Sequence, residues 1–303
     1  MITRELHEFE RFFRASPTDF SPPCARATFL EAPEDFALAE QSASDNHYMD
    51  LGVQVDSGRA LAQHRQLQRA LSETLPTLCF PGSRDAPDGL FPNNVFATRR
   101  GALMIGHMRH PVRQAEAGRS DVRAFFRELM GYQEIDLRAQ PGICELTGSL
   151  VIDHRRSIGF CGLSERCDEI GAAAMHAAFG LRATLLFDLA AGEYHSNVVL
   201  SILAGRAAVL AADGFADPQV AQLIASLYAP HALLLSAGEK KAFAGNCLAL
   251  ATDQVWMSAA GAGALSPAHR ETLATAGFGL HSVPLDELEK AGGSLRCCVA
   301  EIF

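Results

Sequence analysis

One pattern recurs along this chain at intervals of about fifty residues, and the recurrence limits the folds open to it. An apolar strand, a short turn and a second apolar strand occur in "NVFATRRGALMIGH", "SLVIDHRRSIGFCG", "NVVLSILAGRAAVLA" and "NCLALATDQVWMSA". Apolar residues at helical spacing follow each hairpin and predict helices at 118–130, 165–179, 216–228 and 267–275. A further short strand, as in "RATLLFDL", then leads into the next unit.

The spacing of these units predicts one domain made of five equivalent modules. The first strands are predicted to start 55, 48, 49 and 49 residues apart, at Asn94, Ser149, Asn197, Asn246 and close to Leu295. Such a period is typical of units repeated in a line or around an axis. The last module has a single strand near the C-terminus. Residues 25–32, "ARATFLEA", are predicted to pair with it and close a ring.

Charge and composition argue against several classes of partner. The formal net charge is −9 and no run of Lys or Arg is present, which argues against binding to nucleic acid or to an anionic membrane surface. The chain has no long charge-free apolar stretch and no start typical of a signal peptide, which predicts a cytoplasmic protein. Its eight cysteines lack the paired spacing of a zinc site, so we expect reduced thiols and no bound metal.

Short polar segments precede or begin the predicted first strands. They read "PDGLFPNN", "ELTGS", "EYHSN", "AGN" and "GGSLRC". Equivalent positions in a ring of equivalent modules meet near the axis, so we expect these segments to form one central pocket. The residues expected in that pocket are Asp88, Asn93, Asn94, Glu145, His195, Asn197, Asn246 and Cys297.

A cysteine, a histidine and a carboxylate together can attack an electron-poor carbon. A free thiol has a pKa of about 8.5, so a nearby histidine is needed to take its proton at neutral pH. Cys297 and His195 are the expected pair, and Glu145 would orient the histidine or bind substrate N–H groups. Each also has a structural alternative: a buried thiol, a satisfied core histidine, and a carboxylate that caps a helix or pairs with arginine. The asparagines are equally compatible with turns at strand entry.

Side-chain alternation along the predicted last strand distinguishes its two adjacent cysteines. Cys298 would share a face with Ile302, which is typical of a core position. Cys297 would share a face with Glu301, and this is the only face of the strand that carries a charge. We therefore expect Cys297 in the pocket and Cys298 in the core as a small apolar residue.

With these motifs in place, residues 24–303 resemble the guanidino-group modifying superfamily, or penteins. The matching segments are similar to those of arginine-deiminase-related or citrulline-utilisation hydrolases, an amidinotransferase-like branch. They are "PDGLFPNNVF", "ELTGSLVID", "GLSERCD", "YHSNVV", "FAGN" and "GGSLRCCVAEIF". The fold that this resemblance implies is a five-bladed α/β propeller of ββαβ modules with pseudo-fivefold symmetry, which agrees with the period of the sequence.

The resemblance also implies roles for individual residues. The family's catalytic cysteine falls on Cys297, its histidine on His195 and its acidic partner on Glu145. Arg166 in "GLSERCD" matches the position that binds the substrate's α-carboxylate, and the bidentate geometry of arginine suits that contact. Weaker candidates for the same contact lie in "MRHPVRQ" and are Arg109 and Arg113.

The chain departs from the deiminase pattern at positions that hold the substrate. Asn93 and Asn94 stand where deiminases and dimethylaminohydrolases carry an acidic pair, and Asn197 stands where deiminases carry aspartate. Replacing carboxylates by amides removes charge-assisted hydrogen bonds to a guanidinium cation. With Asp88 and Glu145 retained, the pocket is expected to favour a neutral ureido group, so we expect citrulline or a derivative rather than arginine.

The implied activity is that of a cofactor-free hydrolase that forms a covalent cysteine intermediate on a small amino-acid substrate. Three alternatives remain: an arginine deiminase or dimethylarginine dimethylaminohydrolase, an amidinotransferase, and a non-catalytic binding protein of the same fold. The predicted organisation is an N-terminal helical extension, 1–23, and one catalytic domain, 24–303. The sequence is compatible with a homodimer, and it leaves the oligomeric state and the role of the extension open.

Overall fold

The protein, described by a computed structural model over residues 1–34, 36–83 and 85–303, has a mixed α/β fold. Its strands are β1 (Ile2–Thr3), β2 (Ala27–Glu31), β3 (Thr77–Phe80), β4 (Phe96–Arg99), β5 (Ala102–Ile105), β6 (Gln133–Asp136), β7 (Leu150–Asp153), β8 (Ile158–Leu163), β9 (Ala183–Asp188), β10 (Leu200–Leu203), β11 (Ala207–Leu210), β12 (Ala232–Leu234), β13 (Leu248–Ala251), β14 (Gln254–Ser258), β15 (Gly279–Val283) and β16 (Ala300–Ile302).

The α-helices are mostly short. They are α1 (Leu6–Arg14), α2 (Glu40–Ala43), α3 (Ser57–Ser72), α4 (Pro111–Glu116), α5 (Ser120–Ala124), α6 (Leu146–Ser149), α7 (Glu169–Phe179), α8 (Ser196–Val199), α9 (Pro218–Leu227), α10 (Ala237–Lys241), α11 (Ala259–Ala264), α12 (Pro267–Thr275) and α13 (Leu295–Cys298). A π-helix follows α5 at Phe125–Leu129, and 3₁₀ turns occur at Pro92–Asn94, Leu137–Ala139, Ala212–Gly214 and Leu288–Lys290. Within the described ranges no helix is long and apolar enough to cross a membrane.

The strands form small sheets that share one internal order. Each has an antiparallel pair followed by a parallel third strand: β4-β5-β6, β7-β8-β9, β10-β11-β12, β13-β14-β15 and β16-β2-β3. The pairing predicted between the two ends of the chain is confirmed, because Ala300 on β16 lies opposite Phe29 on β2. Apolar side chains of the sheets and helices pack into cores that each draw residues from two successive modules and so hold neighbouring modules together.

The predicted helices are present, α12 with the predicted limits and the others with different ones. Helix α7 starts at Glu169 rather than at residue 165, because the Asp168 side chain accepts a hydrogen bond from the backbone N–H of Gly171 and caps the helix there. It ends at Phe179 and is followed by Gly180, whose φ of 65° suits glycine. The region predicted as one helix at 118–130 divides into α5 and the π-helix.

The N-terminal segment adds to a sheet of the repeated fold. The predicted helix is present as α1, and Phe9 and Phe13 on its buried face make edge contacts with Phe160 and Tyr228 at ring-centroid distances of 5.5 Å. The preceding strand β1 was not predicted, and it pairs in parallel with β9. The segment is therefore anchored to the same sheet as β7 and β8.

The predicted starts of the first strands are wrong by a few residues, with consequences for the site. Asn94, Ser149 and Asn197 lie in one-turn helices, and the strands begin after them. The two late cysteines likewise lie in α13, where the N–H groups of Cys297 and Cys298 both donate to the carbonyl of Ser294, at 3.0 and 3.2 Å. Strand alternation therefore does not apply to these cysteines, because β16 begins only at Ala300.

Candidate active site

The one-turn helices bring the predicted site residues of different modules together. The 3₁₀ turn at Pro92–Asn94 contacts both α6 and α13, and α6 contacts α8. Ten of the predicted residues are each less than 5% exposed: Asp88, Asn93, Asn94, Arg113, Glu145, Arg166, His195, Asn197, Asn246 and Cys297. The side chain of Arg109 is 31% exposed and lies at the edge.

A small cavity of about 10 Å³ lies among these residues, and a cavity of this size holds roughly one water molecule. Six of the predicted residues line it: Asp88, Asn94, Arg113, Arg166, His195 and Cys297. Residues that the sequence did not single out complete the wall: Ser42, Asn46, Met49, Phe91, Tyr194 and Ala291. Four further predicted residues are buried but do not line the cavity: Asn93, Glu145, Asn197 and Asn246.

His195 is held by Glu145. Its Nε2 lies 2.8 Å from Oε2 of Glu145, so Nε2 carries the proton and Nδ1 is left as the basic nitrogen. Oε1 of the same carboxylate accepts from the backbone N–H of Arg109 at 3.2 Å. The ring is also confined by Gly148, where an added Cβ would lie 2.7 Å from its Cε1 atom. The imidazole therefore has a fixed position and a fixed tautomer.

Burial and charge set the protonation states of this pair. Burial raises the pKa of Glu145, but the Arg166 guanidinium, 3.5 Å away, and His195 outweigh it and bring the value to about 2. Burial lowers the pKa of His195 and exceeds the opposing effect of the hydrogen bond to Glu145. At neutral pH the site thus holds a carboxylate and an uncharged imidazole, which can accept a proton.

Cys297 is presented by a glycine-rich turn and two asparagines. Its backbone N–H donates to Oδ1 of Asn246 at 3.3 Å, and Nδ2 of Asn246 donates to its sulfur at 3.3 Å. The thiol lies 3.8 Å from Oδ1 of Asn197. Burial raises the pKa of Cys297, and the Asn246 hydrogen bond opposes the rise. Cys298 is fully buried in an apolar cluster and does not line the cavity.

Glu301 does not mark a pocket-facing side of the last strand, contrary to the sequence argument. Its carboxylate pairs with Arg296 at 3.1 Å, and neither residue lines the cavity. The charge on that face is thus neutralised locally. It is the helical turn α13, rather than strand alternation, that separates Cys297 from Cys298.

Several polar atoms next to the cavity have no hydrogen-bond partner within the described ranges. They are Oδ1 of Asp88, Oδ1 of Asn93 and Nδ2 of Asn197. Asp88 uses its other oxygen to accept from the Ser42 hydroxyl, and burial raises its pKa against the effect of Arg113. Asn94, in contrast, is already hydrogen-bonded, because its Oδ1 accepts from Arg113 at 2.9 Å. Unsatisfied buried atoms of this kind are costly unless a ligand or water pairs with them.

The three predicted arginines differ in what they contact. Arg166 donates to Asp45 at 2.6 and 3.1 Å and to the carbonyl of Ser42 at 2.8 Å, so the guanidinium predicted to bind substrate is already held by protein. Arg113 is paired with Glu116 at 2.9 Å. The side chain of Arg109 pairs with acidic residues at the edge of the site, and only its backbone N–H reaches inward.

The segment at residues 36–50, which contains Asp45, was missed because it lies between β2 and α3 and outside the repeated pattern. It covers the cavity with Ser42, Asn46 and Met49. Nδ2 of Asn46 donates to the carbonyl of Gly292 at 3.4 Å. A Cβ at Gly292 would lie 2.4 Å from that nitrogen, and its φ of 75° also requires glycine. The only signal in the sequence was the polar run "SASDN" just before the aromatic Tyr48.

This arrangement has the parts needed for nucleophilic attack on a carbon. The thiol of Cys297 and the neutral imidazole of His195 line one cavity, and Glu145 is placed to stabilise an imidazolium if the thiol proton is transferred to the ring. Among the described residues no group of three or more His, Cys, Asp or Glu side chains is placed to hold a metal ion.

Comparison with known proteins places the chain in a family of enzymes that act on guanidino compounds. Residues 32–303 match the family model described as N,N dimethylarginine dimethylhydrolase, eukaryotic. The chain is 26% identical over 285 residues to the N(G),N(G)-dimethylarginine dimethylaminohydrolase of Mycobacterium tuberculosis. The alignment covers 92% of this chain and 87% of that protein.

Solved structures share the fold. The N-terminal domain of ArgZ, an arginine dihydrolase from the ornithine-ammonia cycle in cyanobacteria, is 20% identical with a TM-score of 0.79 and covers 91% of this chain and 97% of that one. A dimethylarginine dimethylaminohydrolase bound as an adduct with S-methyl-L-thiocitrulline is 18% identical with a TM-score of 0.70, over 92% of this chain and 100% of that one.

Proposed function

We propose a mechanism and a substrate class from the premise that this chain belongs to the dimethylarginine dimethylhydrolase family and is a cysteine-dependent hydrolase of a guanidino or ureido C–N bond. The observation that supports the mechanism is the common cavity of Cys297 and the His195–Glu145 pair. Cys297 is the nucleophile, His195 the general base and acid, and Glu145 the residue that orients the histidine.

The proposed reaction has two stages. Nδ1 of His195 takes the thiol proton as the sulfur of Cys297 bonds to the central carbon of the ureido group, and the imidazolium then gives that proton to the departing amine as the C–N bond breaks. His195 next removes a proton from water, which attacks the thioester-like carbon, and the C–S bond breaks. The thiol recovers its proton from the imidazolium, so the enzyme ends the cycle unchanged.

We propose a ureido substrate, citrulline or a derivative, over a guanidinium. Two arginines, Arg113 and Arg166, line the cavity, and Asp88 is the one carboxylate in its wall. A cationic group would be repelled by both arginines, whereas an N–H of a neutral ureido group can donate to the unpaired Oδ1 of Asp88 without that repulsion. Arg166 could meet the substrate carboxylate once Asp45 releases it.

A guanidino substrate is the second candidate, because the relatives are named for dimethylarginine and arginine. The unpaired oxygen of Asp88 favours it, since a carboxylate can accept from a guanidinium. Steady-state product release with citrulline, arginine and dimethylarginine, together with their N-acyl derivatives, separates the two. The ureido proposal expects the highest kcat/KM with a citrulline-type compound, and a clear preference for arginine or dimethylarginine contradicts it.

Two variants test the nucleophile. Cys297→Ala is expected to abolish turnover and leave the fold intact, whereas Cys298→Ala is expected to keep nearly full activity because that thiol packs in the core. Ammonia release is the readout, and circular dichroism checks folding. Loss of activity in Cys298→Ala alone would reverse the assignment.

Alkylation distinguishes a hydrolase site from a non-catalytic binding site. Iodoacetamide modification of Cys297, followed by mass spectrometry, is expected to be slowed by citrulline. A Cys297 that is neither reactive nor protected would favour the binding protein. An amidinotransferase would instead transfer the group to an added amine, and product analysis with such an amine shows it.

We further propose that the five sheets are blades of one five-bladed α/β propeller, with residues 24–303 as the catalytic domain and 1–23 packed on it. Hydrogen bonds between successive modules support this order. They include Thr147 to the Asn93 carbonyl at 2.8 Å and Asn246 to the Asn197 carbonyl at 2.8 Å. Thr98 donates to the carbonyl of Glu301 at 3.0 Å and links the last module to the first. A crystal structure tests the pseudo-fivefold axis.

The proposed setting is the cytoplasm, where the eight free cysteines would remain reduced. The proposed partner is a small amino-acid substrate. A homodimer is tested by size-exclusion chromatography with light scattering, and the location by cell fractionation. Recovery in a membrane or secreted fraction would contradict the location.

A further inference from the structure

A second cavity, of about 510 Å³, lies away from the site, and its volume is within the range of small-molecule binding pockets. The first strand of each module begins next to the candidate active site and ends at a hairpin turn. The hairpin turn therefore lies at the end of the module away from the active site. β4, for example, runs from just after Asn94 to Arg99. The cavity is at such a hairpin turn, and it shares no lining residue with the cavity of Cys297.

Arg26, Arg99 and Arg100 line this second cavity, which we call the arginine cavity. Arg26 donates to the Tyr132 hydroxyl at 2.6 Å, and Nε of Arg99 donates to the carbonyl of Ala178 at 2.7 Å. In the described part of the chain none of the three forms an ion pair with Asp or Glu, and no acidic side chain lines the cavity. Phe303, at the end of the sequence, also lines the cavity, and its main-chain oxygen accepts from the Tyr132 hydroxyl at 2.7 Å on the side of Arg26. The positive charge available to a ligand is therefore concentrated at Arg99 and Arg100.

The other walls of the arginine cavity are apolar and aromatic. Phe179, Leu181 and Ile152 line it, and Phe303 lies on the ring of His154 with centroids 4.0 Å apart. Phe20 also lines it and is 54% exposed, an unusual position for a large aromatic side chain. The Arg182 guanidinium lies 5.2 Å from the centroid of the Phe20 ring. The cavity therefore joins an exposed aromatic surface to three guanidinium groups that have no carboxylate partner among the described side chains.

We infer that the arginine cavity binds an aromatic organic anion, with its ring against Phe20 and its anionic group between Arg99 and Arg100. Guanidinium groups bind carboxylate, sulfonate and phosphate through charge-assisted hydrogen bonds, and an aromatic ring covers exposed apolar surface. This inference does not rest on the proposed hydrolase activity, because no residue is shared between the two sites.

The test uses 1-anilinonaphthalene-8-sulfonate, which has both an aromatic ring system and an anionic group, with the full chain. We expect saturable fluorescence enhancement that weakens at high salt, and at least a tenfold weaker Kd for the double variant Arg99→Ala/Arg100→Ala. Arg65→Ala/Arg69→Ala on α3 removes two exposed arginines elsewhere and is expected to bind as wild type. Because Arg99 also bonds to Ala178, the single variant Arg100→Glu provides a second comparison.

Further control experiments distinguish binding in the arginine cavity from binding in the active site. Cys297→Ala is expected to bind the probe with unchanged Kd, citrulline is expected not to displace it, and 2-naphthoate is expected to displace it while neutral 2-naphthamide does not. The inference is overturned by an unsaturable wild-type signal, by wild-type affinity in Arg100→Glu, by equal losses in the two double variants, or by displacement with citrulline.

Discussion

Replacing Glu145 by glutamine removes one negative charge and changes almost no volume. We expect the substitution to lower both the free energy of unfolding and kcat. Two hydrogen-bond donors and one ion-pair partner converge on this carboxylate. His195 lies 2.8 Å from Oε2, the backbone N–H of Arg109 donates to Oε1 at 3.2 Å, and the Arg166 guanidinium forms an ion pair with Oε2 at 3.5 Å. Glutamine has one oxygen and one NH₂ group. Whichever way the amide is turned, its NH₂ group faces a donor, and Arg166 loses a counter-charge.

The magnitude follows from the electrostatics of the buried carboxylate. Despite its burial, Glu145 has a pKa near 2 in place of 4.5, which is equivalent to about 3 kcal/mol in favour of the charged form. Removing one partner of a buried ion pair typically costs about 3–5 kcal/mol. We therefore expect Glu145→Gln to lower the free energy of unfolding by about 3 kcal/mol and kcat by at least about a hundredfold, because His195 loses its orientation.

Urea denaturation followed by the fluorescence of Trp256, the single tryptophan and a buried one, measures the first quantity. Glu165→Gln is the matched control, because Glu165 is 72% exposed and pairs with Arg109 at the surface. Its loss is expected to stay below about 1 kcal/mol. Equal losses in the two variants, or a Glu145→Gln enzyme with wild-type kcat, would refute the proposed role of the carboxylate.

Two further predictions concern packing and pH. Gly148→Ala places a methyl group 2.7 Å from the His195 ring and is expected to lower kcat at least about tenfold, whereas Gly263→Ala, with open space around it, is expected to be silent in the same assay. Burial lowers the pKa of His64 from 6.5 to about 4. Between these two pH values the unfolded chain binds a proton that the folded protein does not. The free energy of unfolding is therefore highest above pH 6.5 and decreases as the pH falls toward 4. His64→Leu is expected to reduce that dependence by about 1.4 kcal/mol per pH unit in urea titrations at several pH values; an unchanged slope contradicts it.

The period of the sequence predicted the order of strands in each module and the pairing of β2 with β16. Those features depend on runs of apolar residues long enough to show a pattern. The one-turn helices are too short to show such a pattern, since four residues do not distinguish a helical turn from the start of a strand. Cys297 was therefore assigned to the pocket on a strand that begins only after it.

The partners of charged residues were harder to predict than the residues themselves. Arg166 was identified as a site residue, but its contact with Asp45 joins two segments far apart in the sequence. The need for that aspartate arises from burying a guanidinium, which is visible only once the segment at 36–50 covers the cavity. Similarly, Asn94 was expected to contact substrate, yet its oxygen is taken by Arg113.

The pairing of β16 with β2 has a consequence for how the enzyme becomes active during folding. Each of the other sheets is built from strands close in sequence, apart from the added β1, whereas this sheet joins opposite ends of the chain and carries the greatest loop-closure cost. Cys297, the proposed nucleophile, lies three residues before β16, so we expect its thiol to reach His195 only after that closure. Recovery of activity during refolding is therefore expected to report the formation of the β16–β2 pair, and chains that have formed only the other sheets are expected to be inactive.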